Sequence, residues 1–287
     1  MVILKMSFTT RVIPAFVTVT VLMVATAQAD MTDSDTKINA DIVKASNQLA
    51  VGFGILHQDY REFNDGLVPS LPTILDSESG DLTSLRLSFT GMVDRLYVQG
   101  SLGYSTGDTA YTGYLQQFGP PIVYTPLNTT TSNHMLDLIG RVGYTYKVGS
   151  SVAVIPYIEL GEHVWKRDVA PSAPYGVTED YFHFSLGFGA KALYSPIERL
   201  VLEIGAGYGS NLLSTTTTGG YDFKLGDKPY VNAYASLDYR IDNHWHLTGS
   251  ADYRKWEYGE SDMVAGLVEP HSETQQTQYL MSVGYHF

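Results

Sequence analysis

The chain of 287 residues has no cysteine. Disulfides therefore contribute nothing to its stability, and a lipoprotein anchor is excluded. Charged residues make up only 17% of it, whereas the surface of a soluble globule is normally covered by charge. Beyond residue 25 no apolar run is long enough for a membrane helix. No convincing helical periodicity exists either, so no glycine-rich phosphate loop opens a helix. The formal net charge of −12 argues against nucleic acid as a partner, which calls for a basic stripe.

What the chain does have is tyrosine (21), glycine (27) and alternation. Its last nine residues, 279–287, place Tyr279, Met281, Val283, Tyr285 and Phe287 on one face of a strand, because successive side chains along a strand point opposite ways. An exposed apolar edge of this kind is an aggregation template in water. In an outer-membrane barrel it is required, since the outward face meets lipid and the last strand closes on the first. These five residues also resemble the carboxy-terminal signal by which bacterial outer-membrane barrels are recognised for insertion. Ser282 stands at that signal's usual glycine position. At the other end, Lys5 and Arg11 precede an apolar stretch from Val12 to Ala25, and Ala27-Gln28-Ala29 offers a small-x-small cleavage site. Residues 1–29 read as a signal peptide.

Ten alternating segments lie near 47–58, 82–92, 95–106, 134–147, 151–165, 180–194, 199–211, 229–241, 244–256 and 279–287. They predict an all-β fold, a transmembrane antiparallel up-and-down β-barrel of ten strands, with eight as the alternative. Pro156 interrupts the fifth ladder, which predicts a bulge there. Short turns near 92–95, 147–151, 195–198 and 241–244 alternate with long loops near 64–79, 107–132, 166–178, 212–228 and 259–273. Bacterial barrels keep short turns in the periplasm, so both termini are expected there. Tyr146, Tyr194, Tyr239, Trp245, Tyr285 and Phe287 would form the girdle at the turn side, and Tyr104, Phe182, Tyr208 and Tyr253 the one at the loop side. The expected layout is a signal peptide (1–29), a periplasmic tail or short plug (30–46) and the barrel domain (47–287) in the outer membrane of a Gram-negative cell envelope.

The inward positions carry Arg86, Asp137, Arg141, Glu159, Lys191, Glu203, Asp238, Arg240, Asp252 and Arg254, with His163, His183 and His246 among them. Ten strands enclose a bore little wider than side chains can fill. Unpaired charge there costs several kcal/mol per ion, so an ion-pair network and a sealed lumen are expected, with inward glycines making room for long side chains.

The strand count and layout resemble the omptins, ten-stranded outer-membrane proteases, and more loosely the opacity-type surface proteins. Ile38-Asn39-Ala40-Asp41-Ile42 is similar to an omptin amino terminus. That resemblance implies an acidic pair on the second loop and an Asp-x-His dyad on the fourth. Here the second loop has Asp108 alone, and the fourth has Asp222 and Asp227 without histidine. The Asp-x-His of this chain, Asp242-Asn243-His244, falls in a periplasmic turn, so the base and orienter of an activated water do not come together. Asp180 and His183 are expected on opposite strand faces, and His244 and His246 on one face. No catalytic residue, cofactor or metal is predicted. The reading is a non-enzymatic surface protein whose loops serve contact or adhesion and envelope structure. A small-solute channel is the alternative and an omptin-type endopeptidase the third. Expected partners are outer-membrane lipid, lipopolysaccharide (at Lys166, Arg167 and Lys255), the barrel-insertion machinery with periplasmic chaperones, and an unidentified extracellular ligand.

Overall fold

A computed structural model describes residues 38–117 and 123–287. The expected signal peptide and residues 30–37 lie outside the described residues. The elements are α1 (Ala40–Ala45), β1 (Gln48–Phe63), β2 (Ile74–Val93), β3 (Leu96–Gln117), β4 (Val123–Tyr144), β5 (Tyr146–Lys147), β6 (Val152–Val169), β7 (Val177–Ile197), β8 (Leu200–Thr218), β9 (Tyr221–Lys224), β10 (Pro229–Arg240), β11 (Trp245–Tyr258) and β12 (Ser272–His286).

Ten of these strands are long and close an antiparallel barrel. Neighbours pair in the order β10-β11-β12-β1-β2-β3-β4-β6-β7-β8, and β10 pairs back to β8. The eight-stranded alternative falls away. β5 continues the line of β4 along β6, and β9 folds back on the end of β8. The closing seam joins β12 to β1 in unbroken register from Gln48↔His286 to Glu62↔Ser272. A closed ladder leaves no strand edge unpaired, the condition for crossing hydrocarbon with strands.

Alternation sorts the side chains as the hydrophobic pattern requires. Leu49, Val51, Phe53 and Ile55 of β1 all face out and are about half exposed, as are Tyr279, Met281, Val283, Tyr285 and Phe287 at the other side of the seam. Phe188 and Ile204, across β7 and β8, reach 66% and 64% exposure. Large apolar side chains this exposed, in a continuous belt around the barrel, define a lipid-facing surface. Exposed Tyr144, Tyr146, Tyr194, Tyr239, Trp245 and Tyr285 border the belt at the short-turn end, and Tyr104, Tyr208 and Tyr253 at the other. The tightest turns reverse the chain through left-handed residues, Asp94 at φ 53° and Arg199 at φ 70°.

The strands are longer than the alternation predicts. β3 and β4 run 22 residues each, whereas a tilted crossing takes about 9–11. Much of what reads as the loops 107–132 and 212–228 is therefore strand standing clear of the membrane. The cause is simple: outside hydrocarbon the outward positions turn polar, as at His57, Asp59, Thr106 and Asp108, and the apolar contrast that marks a strand disappears.

One further expectation is corrected. No bulge occurs at Pro156, because the register with β7 passes straight through Pro156↔Ala190. On its other side the pairing lapses between Gly143↔Tyr157 and Tyr146↔Val154 and resumes unshifted. The missing N–H thus costs ladder bonds without adding a residue. A bulge lies instead where Phe182↔Thr215 gives way to Phe184↔Leu212. It leaves Leu213 at φ 55° and exposed. Of the stretch expected to be a tail or short plug, residues 40–45 form α1. Asn39 caps it, accepting at Oδ1 from the backbone N–H groups of Asp41 (2.9 Å) and Ile42 (3.4 Å). Such caps contribute about 1 kcal/mol. Ile42 is fully buried against Met92, Tyr97, Ala153, Ile155, Leu193 and Val201, a burial worth about 2–3 kcal/mol.

Candidate functional site

The bore is filled in three tiers. At the periplasmic end, α1 sits on the apolar collar just named, and Arg240 Nη2 donates to Asp41 Oδ1 (2.7 Å). Beside it, His246 Nδ1 lies 2.6 Å from Asp238 Oδ1, and Thr248 Oγ1 donates to Asp238 Oδ2 (2.7 Å). Arg240 therefore pairs with the helix, and its strand neighbour Asp238 pairs with β11.

The middle tier holds the remaining charges picked out by alternation. Arg141 Nε donates to Glu159 Oε2 (2.7 Å), and its guanidinium stacks 4.6 Å from the Tyr234 ring centre. Arg86 pairs with Asp252 (3.0 Å), and Lys191 with Glu203 (3.0 Å) and the Tyr97 hydroxyl (2.6 Å). Arg86 also donates to Gln278, and Gln278 to Ser84. Asp137 lies 2.8 Å from His163 Nδ1, with Arg254 farther away at 3.8 Å. All ten predicted lumen residues face the bore. The inward glycines make room chiefly for tyrosine rings rather than for the ions: Gly205 lies under Tyr234, Gly189 under Tyr157 and Gly209 under Tyr230, each pair directly cross-strand. Two small cavities of about 80 and 150 Å³ remain, both lined by Arg86, Arg141, Tyr234 and Asp252.

The extracellular tier is a slab of aromatics beneath a buried acidic cluster. Trp165 and Tyr181 stack at 5.1 Å, Tyr181 and Tyr258 at 5.6 Å, and Tyr60 meets Trp165 edge-on at 5.2 Å. His163 and His183 stack at 4.9 Å beside Trp256. Above them stands Arg167, fully buried. Its Nε donates to Glu78 (2.6 Å), its Nη1 to Glu179 (2.6 Å) and Glu62 (3.2 Å), and its Nη2 to Asp76 (3.0 Å). Glu78 also accepts from the hydroxyls of Thr131 (2.7 Å) and Thr109 (3.0 Å). Four carboxylates thus share one guanidinium. Burial, reinforced by neighbouring Glu78 and Glu179 and opposed by Arg167, pushes Asp76 up to about 6. Burial and Glu179 push Glu269 up to about 8.

Arg167 is the main correction to the expected lipopolysaccharide contacts. Read as the start of a loop, it belongs to a strand that continues to Val169. Lys166 faces out, so its neighbour faces in. Lys166 and Lys255 do stay outside, paired with Asp168 (3.3 Å) and Glu273 (2.6 Å). Parity alone could have found the acidic cluster. Inward positions 56, 58 and 60 of β1 lead to Glu62, and 163 and 165 of β6 lead to Arg167.

The omptin-like chemistry does not assemble among the described residues. Asp108 is exposed on the outer wall of β3, and Asp222 accepts from Thr217 (2.7 Å). Asp242 Oδ1 accepts from the backbone N–H groups of His244 (2.8 Å) and Trp245 (2.9 Å), closing a turn. Asp180 faces out and His183 in. His244 and His246 do not share a face. The turn holds His244 outside against Tyr285 (5.5 Å), while His246 is buried in the bore.

A closed barrel with an apolar outer belt, two aromatic girdles and an ionic interior is a transmembrane β-barrel of the bacterial outer-membrane class. No known protein family matches this sequence, and no curated protein does. Among solved structures, it is similar to the translocator domain of the autotransporter NalP from Neisseria meningitidis. That match has 10% identity over 86% of this chain and 94% of that one, with a TM-score of 0.42. It is also similar to the outer membrane protein OprG from Pseudomonas aeruginosa (13%, 84% and 96%, TM-score 0.35). A third is the toluene transporter TodX of P. putida (12%, 88% and 93%, TM-score 0.34). Likeness of that degree carries no function across.

Proposed function

We propose that this protein, exported by its signal peptide, is a non-enzymatic surface barrel of the outer membrane. Its extracellular strands and hairpins make surface contact or adhesion, with envelope structure as a second contribution. The observation that carries this reading is a filled bore beneath a tall extracellular extension. The Arg167 cluster and the aromatic slab close the outer end, while β3 and β4 continue past the membrane as a paired wall of threonine, tyrosine and asparagine. A scaffold of this kind invests its ordered residues in what it presents, and binding residues sit on loops held by rigid elements. Lipopolysaccharide is its constant neighbour, met by Lys166 and Lys255. The outward stripe of β12, from Tyr279 to Phe287, is what the insertion machinery and periplasmic chaperones recognise.

Planar-bilayer recordings test the closed bore. Purified protein should give no conductance in the nanosiemens range. A general-porin level would replace this reading with that of a small-solute channel. A peptide-cleavage screen on lipopolysaccharide-loaded protein should find no product, and cleavage would restore the omptin-type endopeptidase. Capture of extracellular-matrix components by the intact protein, lost on trimming the β3–β4 hairpin, is the positive expectation.

A further inference from the structure

The two ends of the bore are closed by different means. The outer closure is built from side chains of the barrel strands themselves, so opening it means unzipping the ladder. The inner closure is α1, which is outside the ladder and joined to it through Asn47 and Gln48. Its position is specified in detail. Asn39 Nδ2 reaches the Ser150 carbonyl (3.3 Å), Asp41 accepts from Arg240 (2.7 Å), and Asn47 Oδ1 accepts from the Met92 N–H (2.8 Å). Beneath it, Met92, Ala153, Ile155, Leu193 and Val201 form an apolar collar at the periplasmic end of the bore, below the ionic middle tier. A collar of that kind open to water would be out of place, and Ile42 covers it. On the far side of the helix lies the larger cavity, about 150 Å³, and its floor is made by Ala45 and Ser46.

We propose that α1 is a displaceable stopper that gates this mid-barrel chamber to the periplasm, with the Asp41–Arg240 pair as its latch. The chamber is a one-sided compartment for water and small polar solutes. It is entered from below when the helix swings out on Asn47 and remains shut from above. Its wall carries both signs, Arg86 and Lys191 against Asp238, Glu203 and Asp252, so entry selects by size rather than by charge.

The absence of native cysteine makes the test clean. Ser236 and Ser250 line the chamber, so Ser236→Cys or Ser250→Cys, in the full-length folded protein, reports access to a small charged methanethiosulfonate reagent. With the latch intact, modification should be slow. Asp41→Asn should speed it about tenfold by shifting the open population, Asp41→Glu should restore the slow rate, and Ile42→Ala should act like Asp41→Asn. Heat-modifiable gel migration checks that each variant is still a folded barrel. The proposal is overturned if folded Asp41→Asn and Ile42→Ala react no faster than the parent. It is equally overturned if the parent already reacts as fast as an engineered cysteine on the exposed turn at Asn243. Neither result depends on whether the extracellular strands bind anything.

Discussion

At the scale of single residues, Arg167 outweighs every other. Its guanidinium meets Glu62, Asp76, Glu78 and Glu179 and lies 4.4 Å from the Tyr60 ring centre. Removing one partner of a buried pair costs about 3–5 kcal/mol, because the remaining charge is stranded. Arg167→Ala should therefore be destabilising by at least that much in urea unfolding. Arg167→Lys should recover only part, since an ammonium cannot reproduce the fork that serves four carboxylates. The same excess of acid sets the pH response. Asp76, near 6 in place of 3.8, and Glu269, near 8 in place of 4.5, both take up protons more readily folded than unfolded. Folding then binds protons, so the stabilisation is complete below the unfolded values and is lost as pH rises, first through about 6 and then through about 8. Amide protection in the extracellular ends of β1, β2 and β7, taken relative to the intrinsic base-catalysed exchange rate at each pH, should fall from pH 5 to pH 9, and Asp76→Asn should remove the lower step.

At the scale of elements, the packing of β7, β8 and β10 rests on glycine facing tyrosine. A Cβ on Gly205 would run into the Tyr234 ring across the strand pair, and the ring cannot retreat because Arg141 lies against its face. Gly205→Val should cost about 1–3 kcal/mol through overpacking, read as a lower unfolding midpoint. Pairing it with Tyr234→Ala should recover much of the loss. Here the sequence was partly legible. Glycines at inward positions of β7 and β8 are visible from parity, but what fills their space depends on the barrel's register, which a strand's own residues do not state. The same limit explains the strand ends. Between Ile55 and Glu62 of β1 the outward residues become His57, Asp59 and Arg61, so the outward apolar stripe that marks the strand breaks off although Leu56 and Tyr60 continue the inward face. α1 escaped notice because six residues are too few to show a helical period, and isolated helices that short are not stable without tertiary contacts.

At the scale of the whole molecule, the barrel is a lipid-facing shell closed by a ladder at every edge, with an interior lined by paired charges and tyrosine rings. Sequence by itself determined that shell. Period-two alternation is a local property of each strand, so the belt, the girdles, the ten crossings, the side of the short turns and the ten inward charges all follow from parity and residue type. Only the tertiary structure decided how those charges pair, that Arg240 turns to Asp41 and leaves Asp238 to β11, that Arg167 gathers carboxylates from β1, β2 and β7, and that residues 40–45 enter the bore. The physical reason is that parity fixes the direction of a side chain but not the height at which it meets one from another strand. That height is set by the stagger of strands as the sheet closes, which no single segment of the chain encodes.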